Sequence, residues 1–219
     1  MRARGDRVTI DADRGDRSPR ERLLARLPIH ARDLRIRRCT RSDLVRLAGW
    51  PEYPFPYGAF TFSFRSMSTG ELDRLHARRE GDPARLSLVV DRRDEPCVAY
   101  VALLRADWEA RHVGDVGVRV HPERCDRGIG SEALRAVLRG VFDAGIDSVS
   151  LDVAASNARA VRCYEKVGFE TVGEIWRSAP DFAGVDLTSE QFAFVAPHVR
   201  YVGDAPQLRF LVMRSSRAQ

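Results

Sequence analysis

The sequence predicts a single α/β (α+β) domain built on a mixed sheet, and three observations carry that prediction. Leu86 to Asp91 and Cys97 to Arg105 are apolar, strand-like runs separated by Arg92-Arg93-Asp94-Glu95-Pro96, a hairpin signal. Val113 to His121 alternates, placing Val116, Val118 and Val120 on one face and Asp115, Gly117 and Arg119 on the other. Gly128 to Ala144 then carries Ala133, Leu134, Val137, Leu138, Val141 and Phe142 at helical spacing, ahead of a strand at Val149, Leu151 and Val153. Hairpin and crossover connections therefore share one sheet.

The remaining elements follow in order. Residues 1–32 form a polar, basic extension, with a short helix over Glu21 to Leu27, and residues 33–219 form the domain. Leu34 and Ile36 alternate with Arg35 and Arg37 as a strand, and Ser42-Asp43 opens a short helix. Between Trp50 and Phe64 lie seven of the chain's 18 aromatic residues, interrupted by Pro51, Pro54, Pro56 and Gly58, which forbid a regular helix. Ser68 and Glu71 form a capping box for a helix reaching about Glu80. Gly145 ends the long helix, Asn157 caps another that runs to Lys166, and Gly168-Phe169 begins a strand. Residues 177–206 read as an irregular acidic stretch before a last strand at Leu208 to Met213.

Composition narrows the function. With 219 residues, 44% hydrophobic and 31% charged, the chain is an ordinary globular one. Its longest apolar run, Val98 to Leu104, falls far short of the ~20 residues that span a bilayer. No apolar segment follows Met1, so neither secretion nor a membrane is expected. The net charge of +5 comes mostly from residues 1–32, with nine Arg against five acidic residues, and Lys166 is the sole lysine. That reads as a solvated tail, and nucleic acid is not the expected partner. Cys39, Cys97, Cys125 and Cys163 lack paired spacing, and the five histidines lack ligand spacing. The expectation is a cytoplasmic protein with reduced thiols and no metal.

Two segments carry chemistry. In the first, VGVRVHPERCDRGIGSEAL (Val116–Leu134), a strand enters a loop with two glycines that opens a helix. The first amides of a helix lack partners, and Gly128 and Gly130 remove side chains, so an anion can approach the main chain. Neither Gly-x-Gly-x-x-Gly nor Gly-Lys-Ser/Thr is present, which argues against a dinucleotide fold or a P-loop. In the second, NARAVRCYEKVGF (Asn157–Phe169), Asn157, Ala160, Val161 and Tyr164 share one helix face, suited to an extended, amide-bearing ligand. A capping Asn157 and a core Tyr164 fit the same spacing.

Together these segments resemble the GNAT superfamily of acetyl-CoA-dependent N-acetyltransferases, over about Leu34 to Arg177, and most closely the branch that includes ribosomal-protein N-terminal acetyltransferases. The resemblance implies a mostly antiparallel central sheet flanked by helices and splayed between the strands at 113–121 and 148–153. It implies acetyl-CoA as cosubstrate, its pyrophosphate on the amides of Arg127, Gly128, Ile129, Gly130 and Ser131. Its pantetheine arm would lie along Val118 and Val120 and beside Asn157 and Ala160. Tyr164 would give a proton or hydrogen bond to the departing thiolate. Cys125 and Asp126 depart from the family's usual loop, and Asp126 sets a negative charge beside the proposed pyrophosphate.

An alkylammonium must lose its proton before attacking a thioester, and Asp115 on the central strand is the candidate base, with Glu109, Asp181 and Asp186 as rivals. Trp50, Tyr53, Phe55 and Tyr57 are candidate acceptor contacts, although such rings also fill cores. The expected acceptor is a small-molecule amine or a protein N-terminus, attacking directly without a covalent acetyl-enzyme. Cys125 belongs to the phosphate loop, and Cys163 is expected on a face away from Tyr164. The alternative is a non-catalytic acyl-CoA sensor of the same fold, and monomer and homodimer both remain open.

Overall fold

The computed structural model describes residues 17–53, 57–60 and 63–217. The strands are β1 (Ile29–Ala31), β2 (Leu34–Arg38), β3 (Leu86–Arg92), β4 (Glu95–Asp107), β5 (His112–Val120), β6 (Ser148–Ala154), β7 (Glu170–Ser178), β8 (Val199–Val202) and β9 (Ala205–Ser216). The helices are α1 (Pro19–Ala25), α2 (Arg41–Ala48), α3 (Thr69–Glu80), α4 (Ile129–Asp143) and α5 (Ala158–Glu165). The sheet runs β1-β2-β3-β4-β5-β6-β9-β7, with β8 also on β9. Every described pairing is antiparallel except β5 with β6. The mixed, mostly antiparallel sheet is thus present as expected.

Alternation along the strands divides the interior into layers. Ile36, Leu88, Val101, Leu103, Val116 and Leu151 face α4, whose Leu134, Val137 and Val141 are fully buried against them. On the opposite face Val89, Tyr100 and Ala102 pack under Leu44 and Leu47 of α2 and Leu72 and Leu75 of α3. A smaller cluster, Ala154, Ala179, Val195 and Leu208, anchors the stretch after β7. Burying each such Leu or Val contributes roughly 1.5–3 kcal/mol, so the helical spacing of α4 fixes its place on the sheet.

Several boundaries differ from the sequence reading. The domain takes in much of the proposed extension: Leu23 of α1 is fully buried in the main core and β1 pairs with β2. A Ser18–Glu21 capping box starts α1, and Arg22 Nε donates to the Ala144 carbonyl at 2.8 Å. Thr40, not Ser42-Asp43, caps α2, with Asp43 at the third helical position completing a Thr40–Asp43 capping box. Within 177–206 the chain adds β8 to short 3-10 turns.

The sheet also splays where expected. β5 and β6 pair only at His112↔Ser148 and Val113↔Val149, and beyond them β5 has an open edge from Asp115 to Val120. The neighbouring distortion is steric. Arg105 takes φ 52° opposite Gly114, where a Cβ would stand 3.1 Å from the Arg105 carbonyl oxygen. Tyr164 of α5 is buried in the main core with Val116 and Ile129, and Val118 packs against the same cluster.

Candidate functional site

The turn before α4 is built for close approach. Gly128 caps the helix with φ 78° and Asp126 has φ 59°, so the chain turns sharply out of β5. Glu132 N–H makes the first helical bond, to the Gly128 carbonyl at 3.0 Å. The amides of Ile129, Gly130 and Ser131 precede it and have no helical acceptor. At Gly130 a Cβ would lie 3.1 Å from Val120 Cγ2 and 3.7 Å from Cys163 Sγ, inside the space it lines. That cradle, with free amides at its rim, fits a diphosphate.

A cleft of about 240 Å³ opens there, lined by Val118, Val120, Gly128, Ile129, Gly130, Ser131, Asn157 and Ala160 together. Eight expected cofactor positions thus meet in one place. Arg127 faces an adjoining groove of about 480 Å³ instead, which shares Gly128, Ser131 and Lys166 with the cleft. Asn157 lines the cleft while its Oδ1 accepts from Ala160 N–H at 3.2 Å, so part of its bonding capacity holds α5. Arg159 guanidinium, 3.9 Å from Asp126, balances the charge that the loop places beside the cradle.

Tyr164 is buried in the main core and is not among the residues that line the cleft. Burial pushes its phenol upward, with the Cys163 and Asp115 charges adding to the effect, so it stays protonated and able to donate. Asp115 lies on the same strand. Burial raises its carboxyl, and the nearby Asp152 carboxylate raises it further, while Arg105 and Arg177 oppose both. Arg105 Nη2 reaches Asp115 at 3.7 Å and Asp152 at 3.9 Å, and Arg177 closes on Asp152 from β7. The result is a carboxylate pair across the splay with a base of raised affinity for protons.

The aromatic candidates separate. Tyr53 lines the cleft and its hydroxyl donates to the Val120 carbonyl. Tyr57 stacks under Arg159, whose Cζ is 3.9 Å from the ring centroid. Trp50 is only 6% exposed and packs edge-on against His121 in the second core, behind Arg119 of the cleft wall, whose guanidinium carbon is 5.5 Å from its ring. Phe55 lies outside the described residues. Of the rival bases, Asp186 is turned onto Thr188.

Cys163 faces the cleft, while the neighbouring Tyr164 is buried in the main core. Its Sγ is 3.3 Å from Ser131 Oγ on the cleft wall, since α5 turns that position toward the phosphate loop. Burial pushes both the Cys163 and Cys125 thiols up, which leaves neither as a ready nucleophile. The sequence assigns Asp152 no role, and it places Arg119 only on the Asp115 face of the strand. The only trace of Asp152 there is a polar residue inside the apolar strand Val149-Leu151-Val153. Among the described residues no group of three metal-ligating side chains occurs, and no helix is long and apolar enough to cross a membrane.

Known proteins match this arrangement. The family described as "Acetyltransferase (GNAT) family" matches residues 48–169. An aminoglycoside N(6')-acetyltransferase type 1 from Klebsiella pneumoniae is 33% identical over 103 residues, 44% of this chain and 50% of that protein. The chain thus spans about half the length of that relative. A kanamycin resistance protein from Rhizobium radiobacter is 33% identical over 94 residues, 40% of this chain and 83% of that one. The crystal structure of spermidine N-acetyltransferase from Vibrio cholerae in complex with CoA and spermine superposes with a TM-score of 0.63. That match covers 84% of this chain and 95% of the other at 19% identity, a likeness of fold. These relatives lend no support to the ribosomal-protein branch that the motifs suggested.

Proposed function

Because the chain belongs to the acetyltransferase (GNAT) family, we propose that it moves the acetyl group of acetyl-CoA to a primary amine of a small molecule, by direct attack in a ternary complex. The observation that carries this reading is the cleft itself, where the Gly128–Ser131 cradle meets Val118 and Val120 on the open edge of β5 and Asn157 and Ala160 at the start of α5. Acetyl-CoA supplies an activated acetyl when bound; the chain supplies position and protons.

The roles divide among the chain's own atoms. Amides ahead of Glu132 hold the diphosphate, and the β5 edge at Val118 sets the depth of the arm. Asp115, kept a better base by burial and by Asp152, takes the proton of the incoming ammonium. Tyr164 keeps its own proton available at the opposite end of the transfer. The two carboxylates favour a cationic acceptor, in keeping with the names of the relatives.

Thiol release from acetyl-CoA across a panel of amines, with mass detection of the acetylated product, tests the proposal. Product with at least one small amine supports it. CoA binding with no product from any amine or peptide N-terminus would leave the sensor reading in its place.

A further inference from the structure

Arg119 occupies the cleft without a counter-charge. Register places it with Asp115 and Gly117 on one face of β5, opposite Tyr100, Leu104 and Ala102, and away from the face of Val118 and Val120. Its guanidinium carbon stands 5.5 Å from the Trp50 ring centroid, 5.9 Å from Tyr53 and 5.2 Å from Phe64. Nε and Nη1 are buried with no hydrogen-bond partner, and the Tyr53 hydroxyl is the one polar side-chain group that meets the guanidinium among the described residues. Rings stabilise the charge but accept its N–H groups poorly, so the cation is left under-satisfied. Beside it, a Cβ on Gly117 would meet nothing within 4 Å, so the strand face between Arg119 and Asp115 is open space.

Such a group repels a second ammonium and gains from an oxygen acceptor, the more so because water is scarce around it. Asp115 lies four residues away, about 13 Å along the strand, and recognises the opposite charge. We propose that Arg119 selects the acceptor by binding a carboxylate or hydroxyl oxygen on it, so that oxygen-bearing amines are preferred over bare polymethylene polyamines. The inference rests on the transferase reading for its acceptor site, and names the chemistry of what enters it.

Calorimetry on the CoA-bound full chain tests this without turnover. The probes are matched pairs, 5-aminopentanoate against pentylamine for a carboxylate and glucosamine against cyclohexylamine for hydroxyls. The wild type should bind the oxygen-bearing member of at least one pair roughly tenfold or more tightly, and the responding pair identifies the oxygen source. Arg119→Met should erase that preference, and Arg119→Lys, which keeps a cation over the rings, should restore part of it. Equal binding within both pairs, no binding of either member, or a preference that survives in Arg119→Met would each overturn the proposal. So would loss of CoA affinity in Arg119→Met, which would assign the residue to the cofactor. A preserved preference with no thiol released by any amine would instead remove the transferase reading and leave the recognition role standing.

Discussion

The carboxylates of Asp115 and Asp152, on two strands that part company, are held by the same Arg105 nitrogen, at 3.7 and 3.9 Å. Each therefore feels the other's charge, and Asp152 raises the Asp115 carboxyl. If Asp115 is the base, activity falls on acidification as it takes up a proton. Asp152→Asn removes a like charge, so Asp115 should titrate lower and the acidic limb of kcat/KM should move to lower pH. Asp115→Asn should cost about 10²–10⁴-fold in kcat/KM. A limb unmoved by Asp152→Asn would mean that another group carries the titration.

Tyr164→Phe separates proton supply from packing. The hydroxyl is held protonated by burial, while the ring packs edge-on to Phe169 with centroids 5.7 Å apart. Removing the oxygen leaves that packing intact. A thiol with a pKa near ~8.5 leaves with little acid assistance, so kcat should fall about tenfold to a hundredfold and not to zero. Full retention of kcat would make Tyr164 a core residue only.

How far the sequence foretold this site follows from what sets each residue's direction. Gly128, Gly130, Val118, Asn157 and Ala160 were readable because local rules, strand alternation, helix phase and the amides of a helix start, fix them before any tertiary contact. Asp152 and Arg119 were not, because their meaning depends on the distance between β5 and β6 and on which rings surround a flexible side chain. Trp50 stands behind the cleft wall and not on it, a distinction that aromatic composition does not make. The helix over Glu21 to Leu27 was legible, but its burial against α4 and the strand β1 were not, because Leu23 and Ile29 are few among arginines and the extension's average polarity conceals them.

Gly130→Ala probes the cradle itself. The added methyl would lie 3.1 Å from Val120 Cγ2, tighter than ordinary contact, and would stand where the main chain must be bare. That overpacking lowers fold stability by about 1–3 kcal/mol, and because the methyl also takes up the ligand's space, CoA affinity should fall roughly tenfold to a hundredfold. Gly128→Ala adds left-handed strain at φ 78°, about 1–2 kcal/mol. Calorimetric titration with CoA decides the matter, and unchanged affinity in both variants would move the diphosphate elsewhere.

The acid stability of the fold should rest on Asp43, remote from the cleft. Asp43 is fully buried and accepts from Arg37 at 2.6 and 3.0 Å, from Thr40 N–H at 2.8 Å and Oγ1 at 2.7 Å, and from Cys97 Sγ at 3.1 Å. Arg37 also donates from Nε to Asp91 at 2.7 Å, tying α2 to β2 and β3. Burial alone would raise the Asp43 carboxyl, but the bonds from Arg37 and Thr40 outweigh it and hold it below the usual carboxylate range. A carboxyl depressed by folding stabilises above its unfolded pKa of about 4, and that contribution drains away as pH falls through the lower folded value. Asp43→Asn should therefore lower stability by about 3–5 kcal/mol near neutral pH, the cost of breaking a buried ion pair. It should also flatten the stability profile below about pH 4, because the group whose protonation drives part of the loss is gone. Urea unfolding of wild type and variant at several pH values checks both parts, and parallel profiles would place the acid-sensitive group elsewhere.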